Sequence, residues 1–236
     1  MIQIKPVGDR AVLAVLGDLA DEETNRRVTE LNAAVLGAGV VGIRETVPAF
    51  ASLLIYYDPL VTDWEEISRL VHSAAGGAPS GIGARGRVVE IPVCYGGAYG
   101  EDLPFVAGRA GISREEVVKL HSGNTYRIYM LGFLPGFPYL GGLDPRLNTP
   151  RLDTPRIRIP AGSVGIGGEQ TGIYPLDSPG GWRIIGRTPL RLFAPEDGGS
   201  IPYRAGDFIR FVPIGEAEFE RIRREQKEGF PWQSNC

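Results

Sequence analysis

The chain has 236 residues, of which 43% are hydrophobic and 22% charged, with a net charge of −3 at pH 7; this is enough for one large domain or two smaller ones, and it offers no basic field for nucleic acid. Its two cysteines, Cys94 and Cys236, give no disulfide framework, and none of its three lysines (Lys5, Lys119, Lys227) sits in a Gly-x-x-x-x-Gly-Lys-Ser/Thr phosphate loop. No apolar stretch approaches the ~20 residues of a membrane span, and the N-terminus lacks the basic-then-apolar layout of a signal peptide, so a reducing, cytoplasmic setting is expected.

Residues 2–5 and 10–16 read as strands, 21–36 as a helix with acidic residues in its first turn, and 42–47 and 52–57 as strands. A second helix follows the capping-box pattern Thr62-x-x-Glu65. This predicts a small α+β domain over residues 1–78. The Gly/Pro/Ser-rich run 76–86 then reads as connection, with the linker proper at 79–86. It contains Gly81-x-Gly83-x-x-Gly86, but no strand precedes it and no helix follows, so it is not a dinucleotide fingerprint.

The second domain is expected over 87–236. Two short helices are predicted near 101–110 and 113–121, the latter with the capping box Ser113-x-x-Glu116. Short strands follow at 125–131, 157–159, 163–167, 172–174, 182–187, 190–193 and 207–213, and a polar helix closes the chain at 215–228. Many short strands separated by Gly/Pro turns predict a mainly-β barrel or sandwich.

Within it, Gly132-Phe-Leu-Pro-Gly-Phe-Pro-Tyr-Leu-Gly-Gly142, Pro160-Ala-Gly-Ser163, Tyr174-Pro175 and Ser178-Pro-Gly-Gly-Trp182 are unusually dense in glycine, proline and aromatic residues. Such loops hold rings and backbone amides at fixed positions, as a small-molecule pocket or tight interface requires. Phe137 and Tyr139, set between prolines and glycines, read as presented; Phe133, which ends a strand, reads as barrel filling; Tyr174 and Trp182 fit either role. His121 lies in the last turn of its helix, where the dipole favours imidazolium. It is a candidate acid, base or anion partner, or else a capping histidine. Ser163 and Ser178, with the amides of Gly162, Gly180 and Gly181, read either as an oxyanion-binding set or as serine-capped turns. No Gly-x-Ser-x-Gly elbow supports a serine triad. Arg151, Arg156, Arg158 and Arg187 surround these loops; any of them could grip a carboxylate or phosphate with a bidentate fork, and Arg187 is the best placed. No His pair, Cys-x-x-Cys or acidic triplet suggests a metal.

These blocks, with Gly165-Ile-Gly-Gly168, Gln170-Thr-Gly-Ile-Tyr-Pro175, Trp182-Arg-Ile-Ile-Gly-Arg-Thr-Pro189, Gly206-Asp207, and earlier Gly8-Asp9 and Ser52-Leu-Leu-Ile-Tyr-Tyr-Asp-Pro59, resemble the 5-oxoprolinase B-subunit family, also described as allophanate hydrolase subunit 1 and as a sporulation histidine-kinase inhibitor. One departure is Gly167, where many members carry alanine. The resemblance implies a small α+β domain followed by a cyclophilin-like β-barrel. It also implies one component of an ATP-dependent complex that opens 5-oxo-L-proline to L-glutamate. The expected partners are a homologous 5-oxoprolinase C subunit, and a lactam-utilisation A subunit; ATP, with magnesium, is held by the complex rather than by a P-loop of this chain. Catalytic roles are then expected for His121, Arg187 and Ser163, and substrate or interface contacts for Phe137, Tyr139, Gly162, Gln170, Tyr174, Ser178, Gly180, Gly181 and Trp182. Inhibition of a sensor histidine kinase and a purely structural role in assembly are the alternative functions.

Overall fold

The computed structural model describes residues 2–18, 21–76, 86–195 and 200–227. The predicted linker, the Gly81–Gly86 pattern and Cys236 lie wholly or largely outside these residues. Contacts divide the chain into two compact units, Met1–Gly86 and Arg87–Cys236.

The first unit contains β1 (Gln3–Val7), β2 (Ala11–Val15), α1 (Glu22–Gly37), β3 (Ile43–Pro48), β4 (Ser52–Tyr57) and α2 (Trp64–Gly76). The strands form one antiparallel sheet in the order β1-β2-β4-β3. Alternation on β2 and β4 sends Val12, Ala14, Leu53 and Ile55 to one face, where they meet Val28, Leu31 and Val35 of α1 and Ile67 and Val71 of α2. The start of α2 differs in detail from the sequence pattern. Asp63, not Thr62, accepts the first-turn amide, from Glu66 at 2.8 Å, while the Thr62 hydroxyl donates to the Glu66 carboxylate.

The second unit starts with β5 (Val88–Tyr95), α3 (Leu103–Ala110) and α4 (Arg114–Ser122). Then come β6 (Thr125–Leu131), β7 (Pro138–Gly141), β8 (Arg156–Ile159), β9 (Ser163–Gly167), β10 (Gln170–Ile173), β11 (Ser178–Gly180), β12 (Arg183–Arg187), β13 (Phe208–Pro213) and α5 (Glu216–Lys227). Seven strands close into a barrel in the order β10-β7-β6-β13-β5-β12-β9, and β8 and β11 form a separate two-stranded sheet. β13 runs parallel to β5 and antiparallel to β6. The Ser113 cap is present, its hydroxyl accepting from the Glu116 amide at 3.0 Å. The strand predicted at 190–193 is irregular backbone, and β7 and β11, which contain Pro138 and Pro179, are strands the composition concealed.

Candidate functional site

The segment after β6 is fixed by two successive turns. The Leu134 amide donates to the Gly132 carbonyl at 2.8 Å, closing a three-residue turn around Phe133, whose φ is +67°. That is the rare, strained hand of the γ-turn. The Phe137 amide then closes Leu134-Pro135-Gly136-Phe137 on the Leu134 carbonyl at 3.0 Å. Proline in second place and glycine at φ +80° in third make this a type II turn. The buried Tyr203 hydroxyl pins it from beneath, donating to the Gly136 carbonyl at 2.8 Å. The outcome inverts the sequence expectation: Phe133 is the presented ring, 62% exposed, and Phe137 is buried. Positive φ at Phe133 turns its side chain away from the fold, and Phe137 then takes the inner place with the two rings edge-on at 5.7 Å.

Phe137, Tyr174 and Trp182 form a second core with Ile159 and Ile184, against which Tyr139 packs half-buried. Phe137 meets Tyr174 and Trp182 edge-on at 5.2 and 5.4 Å. Its base is the outer face of the barrel wall. On β9 and β10, Val164, Ile166 and Ile173 join the main core while Gly165, Gly167 and Gly172 alternate to the outside. A Cβ at Gly167 would lie 2.5 Å from Trp182 Nε1, and one at Gly172 would lie 3.0 Å from the same ring. The indole therefore rests against bare backbone, which gives a physical sense to glycine at 167. These aromatic residues do not stand open as pocket walls; they bury one another.

His121 is fully buried in the main core, stacked on Phe211 at 4.5 Å. Tyr95 Oη lies 2.8 Å from its Nδ1 and Thr171 Oγ1 lies 2.8 Å from its Nε2. Thr171 uses its single hydroxyl hydrogen on the Gly165 carbonyl at 3.0 Å, so it accepts at His121. The direction of the chain follows: Tyr95 donates to Nδ1, Nε2–H donates to Thr171, and Thr171 donates to Gly165. Both ring nitrogens are satisfied with the imidazole neutral. Burial lowers the His121 pKa to about 3. A helix C-terminus stabilises imidazolium by at most ~2 kcal/mol, whereas each pKa unit of depression corresponds to ~1.4 kcal/mol. Desolvation wins, and the imidazole stands neutral in the core rather than as the imidazolium that the helix end favours.

The Gly162–Ser163 part of the oxyanion set is committed within the fold. The Gly162 amide donates to the Tyr174 carbonyl at 2.7 Å, and both the amide and hydroxyl of Ser163 donate to the Pro160 carbonyl, at 3.2 and 2.7 Å. Ser163 therefore caps its own turn. Gly180 pairs with Arg156 across the small sheet, and the Gly181 carbonyl receives the Leu152 amide at 2.7 Å. Ser178 Oγ is buried without a hydrogen-bond partner among the described residues. Gln170 is half-buried opposite Gly167 at the β9–β10 hairpin. Among the described residues, no cluster of three His, Cys, Asp or Glu could hold a metal ion.

The arginines separate clearly. Arg156 binds Glu101 at 2.9 Å and Asp102 at 3.0 Å, Arg158 binds Asp177 at 2.6 Å, and Arg151 sits over the Trp182 ring at 5.8 Å. Arg187 is half-buried and bound through Nε to the Ala161 carbonyl at 2.8 Å. Asp102 is a residue that sequence reasoning did not single out. Its buried carboxylate accepts the Ile184 amide at 2.7 Å as well as Arg156, tying the start of α3 to β12. It reads as an ordinary helix-start acid because its partner lies 82 positions away.

The family described as carboxyltransferase domain, subdomain C and D, matches residues 2–202. The 5-oxoprolinase B subunit of Bacillus subtilis is 41% identical over 233 residues, covering 94% of this chain and 97% of that protein. The solved structure of TTHA0988 superposes with a TM-score of 0.77 at 42% identity, covering 87% of this chain; the chain spans 40% of that protein's length. The Kluyveromyces lactis urea amidolyase structure shares the fold, with a TM-score of 0.78 over 97% of this chain and 16% of its own, at 22% identity. No helix among the described residues is long and apolar enough to cross a membrane.

Proposed function

The chain belongs to the carboxyltransferase subdomain C and D family, within the group of 5-oxoprolinase B-subunit relatives, and from that premise we propose that it is the B subunit of an ATP-dependent complex that opens 5-oxo-L-proline to L-glutamate. The observation that carries this reading is the match to the Bacillus subtilis protein along almost the whole of both chains. A lactam carbonyl is a poor electrophile, and water opens it only after its oxygen has been activated. Among the described residues, the committed amides and the scattered carboxylates do not favour this chain as the holder of the nucleotide or its magnesium. The amides of Gly162 and Ser163 are already donated within the fold, and the described residues hold no carboxylate cluster for a metal. Activation of the lactam is therefore assigned to the partner polypeptides, the homologous C subunit, and the lactam-utilisation A subunit. This chain supplies a rigid barrel wall and a docking loop.

Phe133 supports the reading of the chain as one part of a complex. A large apolar side chain held exposed in a strained conformation gains nothing for the isolated fold and suits a partner interface. The same observation favours a second reading, in which the loop docks onto a sensor histidine kinase. The deciding experiment measures ATP-dependent glutamate release from 5-oxoproline with this chain alone, with its partners, and with the partners lacking it. Release is expected only from the full set. Unchanged turnover when this chain is omitted would end the first reading, and co-purification with a kinase alone would install the second.

A further inference from the structure

Three of the four arginines around the glycine-rich run have their charge answered directly: Arg156 by Glu101 and Asp102, Arg158 by Asp177, and Arg151 by the face of Trp182. Arg187 is different. It ends β12, beside the turn that leads from Pro160 into β9, in register with Ser163 and Cys94. Its Nε–H donates to the Ala161 carbonyl, which fixes the plane of the guanidinium. Among the described residues, its two terminal nitrogens make no hydrogen bond and no ion pair.

Other polar and charged groups act on Arg187: Asp177, Arg223, Tyr99 and Arg158. Asp177 is held by Arg158 at 2.6 Å and by the Ala161 amide at 2.7 Å. Arg223 is held by Glu220 at 2.5 Å, and Glu220 also accepts from the Tyr99 hydroxyl at 3.2 Å. Among the described residues, each of the two neighbouring arginines thus has a carboxylate of its own, whereas the half-buried Arg187 has no direct counter-ion. A half-buried charge in that state is poorly solvated, and desolvation accordingly lowers the Arg187 pKa. An anion at the two terminal nitrogens would restore what burial removes, with the parallel two-bond geometry that guanidinium offers carboxylate.

We propose that the Arg187 end of β12 is a binding site for a small molecule bearing a single carboxylate. A monoanion matches the single unanswered guanidinium, whereas a phosphate dianion or a nucleotide triphosphate brings more charge than that one group answers. The inference rests on the 5-oxoprolinase reading for the identity of the ligand, since 5-oxoproline carries one carboxylate, but the site itself is defined by the arginine.

The test uses the full chain labelled with 15N and follows the arginine Nε–H signals during separate titrations with 5-oxoproline, cyclopentanecarboxylate and inorganic phosphate. Both carboxylates are expected to shift the Arg187 signal saturably, with phosphate at least about tenfold weaker. Arg187→Lys should weaken carboxylate binding by about tenfold or more, and Arg187→Met should abolish it. The exposed-helix control Arg221→Met should bind like the parent, and melting curves of each variant check that the fold is retained. Equal or tighter binding of phosphate, no saturable shift with either carboxylate, or unchanged binding in Arg187→Lys would overturn the proposal. The two readings fail separately. Cyclopentanecarboxylate bound at Arg187 with no lactam turnover by the full complex leaves the site and removes the function; turnover by the complex with no carboxylate effect at Arg187 does the reverse.

Discussion

The two faces of β9 and β10 bury their contents in opposite ways. Inside the barrel, Val164, Ile166 and Ile173 pack with large aliphatic and aromatic neighbours, and the polar thread Tyr95–His121–Thr171–Gly165 is tolerated because each hydrogen has an acceptor. Outside, the same strands carry Gly165, Gly167 and Gly172, and the apolar area is supplied by the rings laid on them. The inner face gets its cohesion from side chains projecting from the wall. The outer face gets it from the absence of side chains, which lets Trp182 approach the backbone. Glycine inside a strand is ordinarily a weakness; here it is the complement of a large ring.

The largest effect should come from removing that ring. Trp182 is only 4% exposed and touches Phe137, Tyr139 and Tyr174. Trp182→Ala is expected to destabilise the barrel unit by about 3–5 kcal/mol in urea unfolding, as for other large-to-small core changes. A loss below about 1 kcal/mol would mean that the outer layer is not part of the cooperative core, and the comparison would collapse to one core with a loose covering.

The inner face is tested by acid. His121 has a folded-state pKa of about 3 against an ordinary 6.5. Between these values the unfolded chain binds the proton and the folded chain does not, so this contribution is complete above pH 6.5 and falls away as the pH drops toward 3. Burial raises the pKa of both Tyr95 and Tyr126, so these neighbours stay neutral throughout the range. From pH 7 to pH 4.5 the parent should lose about 2–3 kcal/mol more stability than His121→Gln, whose side chain does not titrate. The quantity to measure is the difference between the two pH–stability curves, because the carboxylates contribute equally to both. Parallel curves would show that the imidazole reaches water and that the thread is not sealed.

How much of this was legible in the sequence follows the range of the forces. Ser113-x-x-Glu116 announced its helix correctly because capping is a contact within one turn. Short segments punctuated by Gly/Pro turns marked β9 and pointed to a barrel or sandwich. β7 and β11 were hidden by Pro138, Pro179 and Gly180, residues that lower strand propensity but are accommodated by short strands. The neutral state of His121 is not legible in the sequence because the helix dipole is visible locally, whereas the burial that overrides it is assembled from β5, β6, β10 and β13. Ser163 and Gly162 looked like free amides because the partner carbonyls of Pro160 and Tyr174 enter only once the strands pair. The exchange of places between Phe133 and Phe137 had no residue-level signal, since nothing in Gly-Phe-Leu-Pro-Gly-Phe specifies which phenylalanine takes positive φ.

A smaller change sharpens the outer-face argument without deleting the ring. A Cβ at Gly172 would meet the Pro138 carbonyl oxygen at 2.8 Å as well as Trp182 at 3.0 Å. Gly172→Ala should cost about 1–3 kcal/mol, in the range of overpacked cores. A double-mutant cycle with Trp182→Ala should recover only part of it, because the backbone oxygen remains when the indole has gone. Full recovery would assign the whole clash to the ring, and no initial loss would show that the wall yields.

Phe133 provides the smallest effect and the one that separates folding from assembly. Phenylalanine at φ +67° carries backbone strain of about 1 kcal/mol or more that glycine does not. Its ring is 62% exposed, so little burial is lost on removing it. Phe133→Gly lets the unfolded chain sample more conformations, which offsets part of the gain. The isolated chain is therefore expected to be unchanged or stabilised by up to ~1 kcal/mol, while association with its partner polypeptides, measured by sedimentation or titration, should weaken by about tenfold or more, as for loss of an aromatic anchor. A chain that is destabilised by the change would place the ring within the fold's own core. A chain that is stabilised and still assembles normally would show that the strain serves some purpose other than contact, and the docking role of the loop would have to be abandoned.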